Sequence, residues 1–175
     1  GSNIDGEAAL DLSGVGVSLS SDGSTVAIGA FQNDGNGRAN SGHVRVHRLV
    51  GDVWTQLGDD IDGEEVNDSS GYAVSLSSDG ETVAISAMKN KGNGTDAGHV
   101  RVHQLVGGTW TQLGDDLDGE AADDESGVTV SLSSDGLTVA IGAQKNNGNG
   151  ESAGHVRIYH YEGGTWTQVG SDIDG

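Results

Sequence analysis

Apolar residues in this chain fall in short runs that alternate with small or polar ones, and the runs recur. In Val17–Ala30, VSLSSDGSTVAIGA, large side chains take every second position on either side of an Asp-Gly pair. A period of two predicts strands. Asp-Gly between two of them predicts a hairpin, because a tight primed turn needs the positive φ that these residues tolerate. The stretch returns as VSLSSDGETVAISA at Val74–Ala87 and as VSLSSDGLTVAIGA at Val130–Ala143. In the first copy the strands read GVSLS (16–20) and TVAIGA (25–30), and a loop rich in Asn and Gly leads to HVRVHRLV (43–50). Gly51-Asp52 then turns into a fourth strand, VWTQLG (53–58). No window carries the 3.6-residue period of an amphipathic helix, so the expected class is all-β.

The copies fill the chain. Ile4, Ile61, Leu117 and Ile173 occupy one place in IDGE, IDGE, LDGE and IDG, at spacings of 57, 56 and 56 residues. Residues 1–3 read as a lead-in, with Gly1-Ser2 resembling a cloning remnant. The repeats then span 4–60, 61–116 and 117–175, the last ending in the start of a fourth. A period near 50 marks supersecondary units that bury their apolar faces only against neighbours. In TVAIGA, Val26 and Ile28 point one way while Ala27 and Gly29 point the other, which suits a sheet covered on both faces by similar sheets. Three four-stranded antiparallel propeller blades are therefore expected. A β-trefoil-like threefold fold ranks second, since trefoil units usually run shorter and lack this small-residue face.

Charge narrows the partners. Against 8 Lys and Arg stand 27 Asp and Glu, a formal net charge of −19. Such a surface repels nucleic acid backbones and anionic lipid headgroups, and it suits divalent cations or plain solubility. Cys is absent, so no disulfide framework exists. No apolar run approaches the roughly 20 residues that span a bilayer, so membrane insertion is not expected.

The order W-x-Q-x-G, acidic D-G, then V-S-L-S-x-D-G-x-T-V-A-I-G-A, N-G and G-H-V-R-V resembles the FG-GAP repeat of integrin α-like propellers. The resemblance covers the whole chain three times. It implies one blade per repeat, an extracellular or cell-surface location, and adhesion or protein interaction. The chain departs from that pattern at Ser13, Ser70 and Ser126 in place of Phe, and at Phe31, Met88 and Gln144 in place of Pro. The family's calcium loop between the first two strands is here only Ser-Ser-Asp-Gly, too short to wrap an ion. Asp22, Asp79 and Asp135 therefore read as turn residues.

The candidate calcium ligands lie instead in the acidic connections. Asp5, Glu7 and Asp11 align with Asp62, Glu64 and Asp68, and with Asp118, Glu120 and Asp124. D-x-D-G-E-x-x-x-D gathers several hard oxygen donors in one bend, as Ca2+ requires. The competing role is capping of backbone N–H groups. Trp54, Trp110 and Trp166, one on each fourth strand, read either as anchors between sheets or as a ring of carbohydrate-binding aromatics. His43 and His47 flank Arg45, matched by His99, Arg101 and His103, while Tyr159 breaks the pattern in the third copy. At ~3.3 Å per residue the two His of a set stand about 13 Å apart, too far to share a metal, and read as a hydrogen-bonding or pH-sensitive seam.

No nucleophile–base arrangement appears, and threefold repetition argues against one unique active centre. The expectation is accordingly a non-enzymatic repeat module for adhesion or protein–protein interaction, with a lectin-like carbohydrate binder as the alternative. Three blades do not close a ring. Self-association or truncation of a longer propeller is expected, with a homodimer giving six blades as one solution.

Overall fold

The structure, a computed structural model, describes residues 3–175; Gly1 and Ser2 of the lead-in lie outside the described residues. It is all-β. The first repeat forms β1 (Val17–Leu19), β2 (Thr25–Ala30), β3 (His43–Val50), β4 (Val53–Gln56) and β5 (Ile61–Asp62). The second forms β6 (Ser70–Leu76), β7 (Thr82–Ala87), β8 (His99–Val106), β9 (Thr109–Gln112) and β10 (Leu117–Asp118). The third forms β11 (Thr129–Leu132), β12 (Thr138–Ala143), β13 (His155–Glu162), β14 (Thr165–Gln168) and β15 (Ile173–Asp174). Among the described residues no helix is long and apolar enough to cross a membrane.

Each repeat folds into its own antiparallel sheet, and the four strands run in sequence order, as hairpins require. The fifth, two-residue strand was not foreseen. β5 pairs with the first residues of β3, on the edge where β4 pairs with its last ones. The outer edge is thus one strand interrupted at Leu57–Asp60, and the break brings an acidic segment alongside His43.

The hairpin turn explains the repeated Asp-Gly. Gly23 has φ +71°, and Asp22 accepts hydrogen bonds from the Ser20 hydroxyl and the Ser24 backbone N–H at 2.7 and 2.9 Å. These donors hold the Asp22 carboxyl down at about 2, and the same kind of contact lowers Asp79 and Asp135.

The sheets stack face to face. β6 packs on β1 and β2, and β11 packs on β6 and β7. One core joins Ala27, Val44, Val46 and Ile61 of the first blade to Val74, Leu76, Val83 and Ile85 of the second. The next joins Ala84, Val100, Val102 and Leu117 to Val139 and Ile141 of the third. The second strand of a blade thus turns its small residues to the following blade and its large ones to the preceding blade. Gly29 shows how close the backbones come: a Cβ there would lie 1.9 Å from the Gly71 carbonyl oxygen. This stacking of one complete sheet per repeat is propeller-like and sets the trefoil alternative aside.

Trp110 and Trp166 lie across the two blade interfaces. Their indole N–H groups donate to the Leu57 and Leu113 carbonyls of the preceding blade at 2.7 and 2.6 Å. Gly58 and Gly114, both at φ near +75°, leave room for these rings. Among the described residues no blade precedes Trp54, which stays half-exposed.

Candidate functional site

At one edge of every blade, three segments distant in sequence converge. The connection into the blade brings a Glu, the first residue of the third strand is a His, and the break in the outer edge brings an Asp. The resulting sets are Glu7–His43–Asp60, Glu64–His99–Asp116 and Glu120–His155–Asp172, each with one ligand-capable atom per residue within 4.8 Å of the others.

The imidazoles are buried, with 1 %, 1 % and 5 % exposure for His43, His99 and His155. Their Nδ1 atoms face carboxylate oxygens at 3.7 and 3.9 Å (His43), 3.6 and 4.0 Å (His99), and 3.6 and 3.7 Å (His155). These distances exceed those of hydrogen bonds. They match the separation of about 3.3–4.2 Å between neighbouring ligands around an ion bound at 2.0–2.6 Å. The Nε2 atoms of His99 and His155 are buried without a partner, so Nδ1 is the polar end aimed at the acids.

The electrostatics agree. Burial, then Arg101, pushes the His99 imidazole down to about 4, leaving it neutral and free to donate a lone pair. Burial raises Glu64, Asp62 and Asp118 above the ordinary carboxylate range, with Asp60 or Asp116 adding repulsion. A cation among these acids would relieve both costs. Arg45, Arg101 and Arg157 buttress each set. Their Nη2 groups donate to the carbonyls of Asp5, Asp62 and Asp118 at 2.6–2.7 Å, and their Nη1 groups lie 3.4–3.8 Å from the cluster Glu.

The structure divides the acids expected as calcium ligands. Glu7, Glu64 and Glu120 join the clusters, Asp118 stands 4.0 Å from His99, and Asp5 offers its backbone carbonyl to Arg45. Asp11, Asp68 and Asp124 are buried apart from them. They accept the N–H groups of Ala8, Glu65 and Ala121, and the side-chain amides of Asn33, Asn90 and Asn146. Sequence reasoning missed the pairing of His43, His99 and His155 with Asp60, Asp116 and Asp172. The available signal was a constant 17-residue separation in all three copies.

A cleft of about 670 Å³ opens beside the first cluster, lined among others by Glu7, Leu10, Asn40, His43 and Asp60. A smaller one of about 420 Å³ lies beside Glu64 and Asp116.

No family model matches the sequence, and no curated protein matches it. Solved structures match in fold. A Bacteroides uniformis protein provisionally named 6-phosphogluconolactonase aligns with a TM-score of 0.58 and 16 % identity, over 91 % of this chain and 40 % of its own. Hydrazine synthase of Kuenenia stuttgartiensis aligns at 0.56 and 12 %, over 91 % of this chain and 36 % of its own. A periplasmic gluconolactonase of Pseudomonas aeruginosa aligns at 0.41 and 12 %, over 91 % and 56 %. The chain thus spans about two fifths of the first two. At these identities the likeness is one of fold.

The comparisons correct the functional expectation. A non-catalytic adhesion module, or its lectin-like alternative, was expected because the fold was read as an interaction scaffold and its repetition as unsuited to catalysis. The fold is shared with proteins bearing enzyme names, so the reading of this fold as a non-catalytic scaffold does not stand.

Proposed function

We propose that the chain binds divalent cations, one per blade, through the Glu–His–Asp clusters. The observation that carries this reading is the threefold recurrence of a buried imidazole held at ligand spacing, not hydrogen-bond spacing, from two carboxylates. Calcium prefers oxygen alone, whereas one imidazole with two carboxylates favours zinc or manganese. Calorimetric titration of chelator-treated protein with zinc, manganese and calcium tests this. The expected result is three equivalent sites, falling to two in His99→Ala, with zinc or manganese bound more tightly than calcium. No binding of any of the three ions at about 1 mM, a concentration that detects even −4 kcal/mol, would sink the reading.

A second reading, metal-assisted hydrolysis of a small ester or lactone, draws on the cleft beside Glu7, His43 and Asp60. The lactonase name of one fold neighbour agrees with it. A divalent ion there would supply Lewis acidity and a more acidic bound water. The cleft would hold the substrate, and Arg45, 3.6 Å from Glu7, would keep that carboxylate oriented. The charge of −19 favours uncharged lactones over phosphorylated ones. Lactone hydrolysis by the metal-loaded protein, lost in His43→Ala but not in His155→Ala, would support it; equal rates in all three proteins would refute it.

A further inference from the structure

The two ends of the blade stack carry opposite halves of the interface already formed twice inside the chain. On the first blade, Val17 and Leu19 occupy the places of Val74 and Leu76, yet are 56 % and 58 % exposed where those are 8 % and 7 %. Trp54 occupies the place of Trp110 and lacks the preceding carbonyl that Trp110 uses. On the third blade, Val156 and Ile173 occupy the places of Val44 and Ile61, yet are 37 % and 57 % exposed where those are 0 % and 5 %. Val169 stands where Leu57 and Leu113 stand, with its carbonyl at the position that accepts an indole N–H in the two inner interfaces.

We propose that these ends dock on each other between two copies of the chain, closing a six-bladed ring with two equivalent head-to-tail junctions. The partner is a second copy because the faces match each other through the chain's own repeat. Whatever fits Leu57 and Val44 from Trp110, Val74 and Leu76 also fits Val169 and Val156 from Trp54, Val17 and Leu19. The backbone contacts repeat as well. Leu76 N–H donates to the Ser18 hydroxyl and Leu132 N–H to the Ser75 hydroxyl, both at 2.9 Å. The next member of this series joins Leu19 N–H of one copy to the Ser131 hydroxyl of the other. Six is the multiple of three within the usual four to eight blades. A heterologous contact repeated between two copies closes without free ends.

Docking carries one local conflict. Ile61 and Asp62 run as β5 on the first blade before the chain enters the second, so the Ile4–Asp5 segment of a docked copy heads for the place held by Ile173–Asp174. One of the two must yield, and β15 has only two residues to release.

Sedimentation and light scattering between about 5 and 500 µM, a range that spans ordinary to weak dimers, test the proposal. The expected species has twice the 17.7 kDa chain mass. Added salt should favour it, because two copies of charge −19 repel at low ionic strength. Leu19→Lys and Val156→Lys should each weaken pairing about 30-fold or more while leaving the fold's circular dichroism intact, since both side chains are exposed in the single chain. Mixing these variants should restore pairing through one intact junction. Deleting Ile173–Gly175 should strengthen pairing by vacating the contested place. A wild-type chain that stays monomeric, an open ladder of larger species, or variants that fail to rescue each other would overturn it.

Discussion

Val74 and Leu76 in the second blade and Val17 and Leu19 in the first are the same residues at the same positions of the repeat. The first pair is buried between sheets and the second faces solvent. Among the described residues a preceding blade packs against Val74 and Leu76 and none against Val17 and Leu19. In a stacked architecture apolar burial belongs to the interface and not to the repeat, so identical side chains differ in worth according to their place in the series.

The largest expected contrast is between tryptophans. Trp166→Ala removes a buried ring and its bond to the Leu113 carbonyl, at a cost of ~3–5 kcal/mol. Trp54→Ala, measured by urea unfolding in dilute solution where copies are apart, should cost about 1 kcal/mol or less. Equal losses would break the comparison. Next come Ile85 and Ile28, at matching positions of β7 and β2, the second strands of their sheets. Ile85→Ala should cost ~2–5 kcal/mol and Ile28→Ala clearly less, because Ile85 is 1 % exposed and Ile28 only half-buried.

The smallest contrast is in acid. Burial, then Arg101, pushes His103 down to about 3, with Asp116 opposing and His99 reinforcing the shift. The unfolded chain then binds the proton more readily than the folded one. Stability is therefore complete above the ordinary His value near 6.5 and is lost as pH falls toward 3. His103→Asn should reduce that acid loss by on the order of 2 kcal/mol, given that local opening hydrates the site before the full shift is felt. His47, lowered by the same causes on the uncovered first blade, should matter less when exchanged for Asn. An identical slope change for both would show that the covering blade has no effect on this site.

Much of the fold was legible in the sequence because hairpins are local. The period of two in VSLS and TVAIGA, and Asp-Gly between them, located the strands to within a residue or two. β5 was not legible, since two residues carry no period and their pairing depends on where β3 leaves an open edge. The clusters were hidden for a related reason. Each draws Glu, His and Asp from three segments, and Asp172 lies just before what reads as the start of a fourth repeat. The acidic connections stand out in the sequence, but type and spacing do not separate Glu7, which reaches His43, from Asp11, which turns inward to cap Ala8 and hold Asn33.

By itself the sequence determined the repeat, its strands, its turns and which side of each strand is apolar, because these follow from backbone sterics and side-chain alternation within a few residues. The tertiary structure decided which of those apolar sides are covered, which imidazoles are buried, and which carboxylates meet them. Those outcomes depend on contacts between segments tens of residues apart, where desolvation and distance, not residue type, set the chemistry.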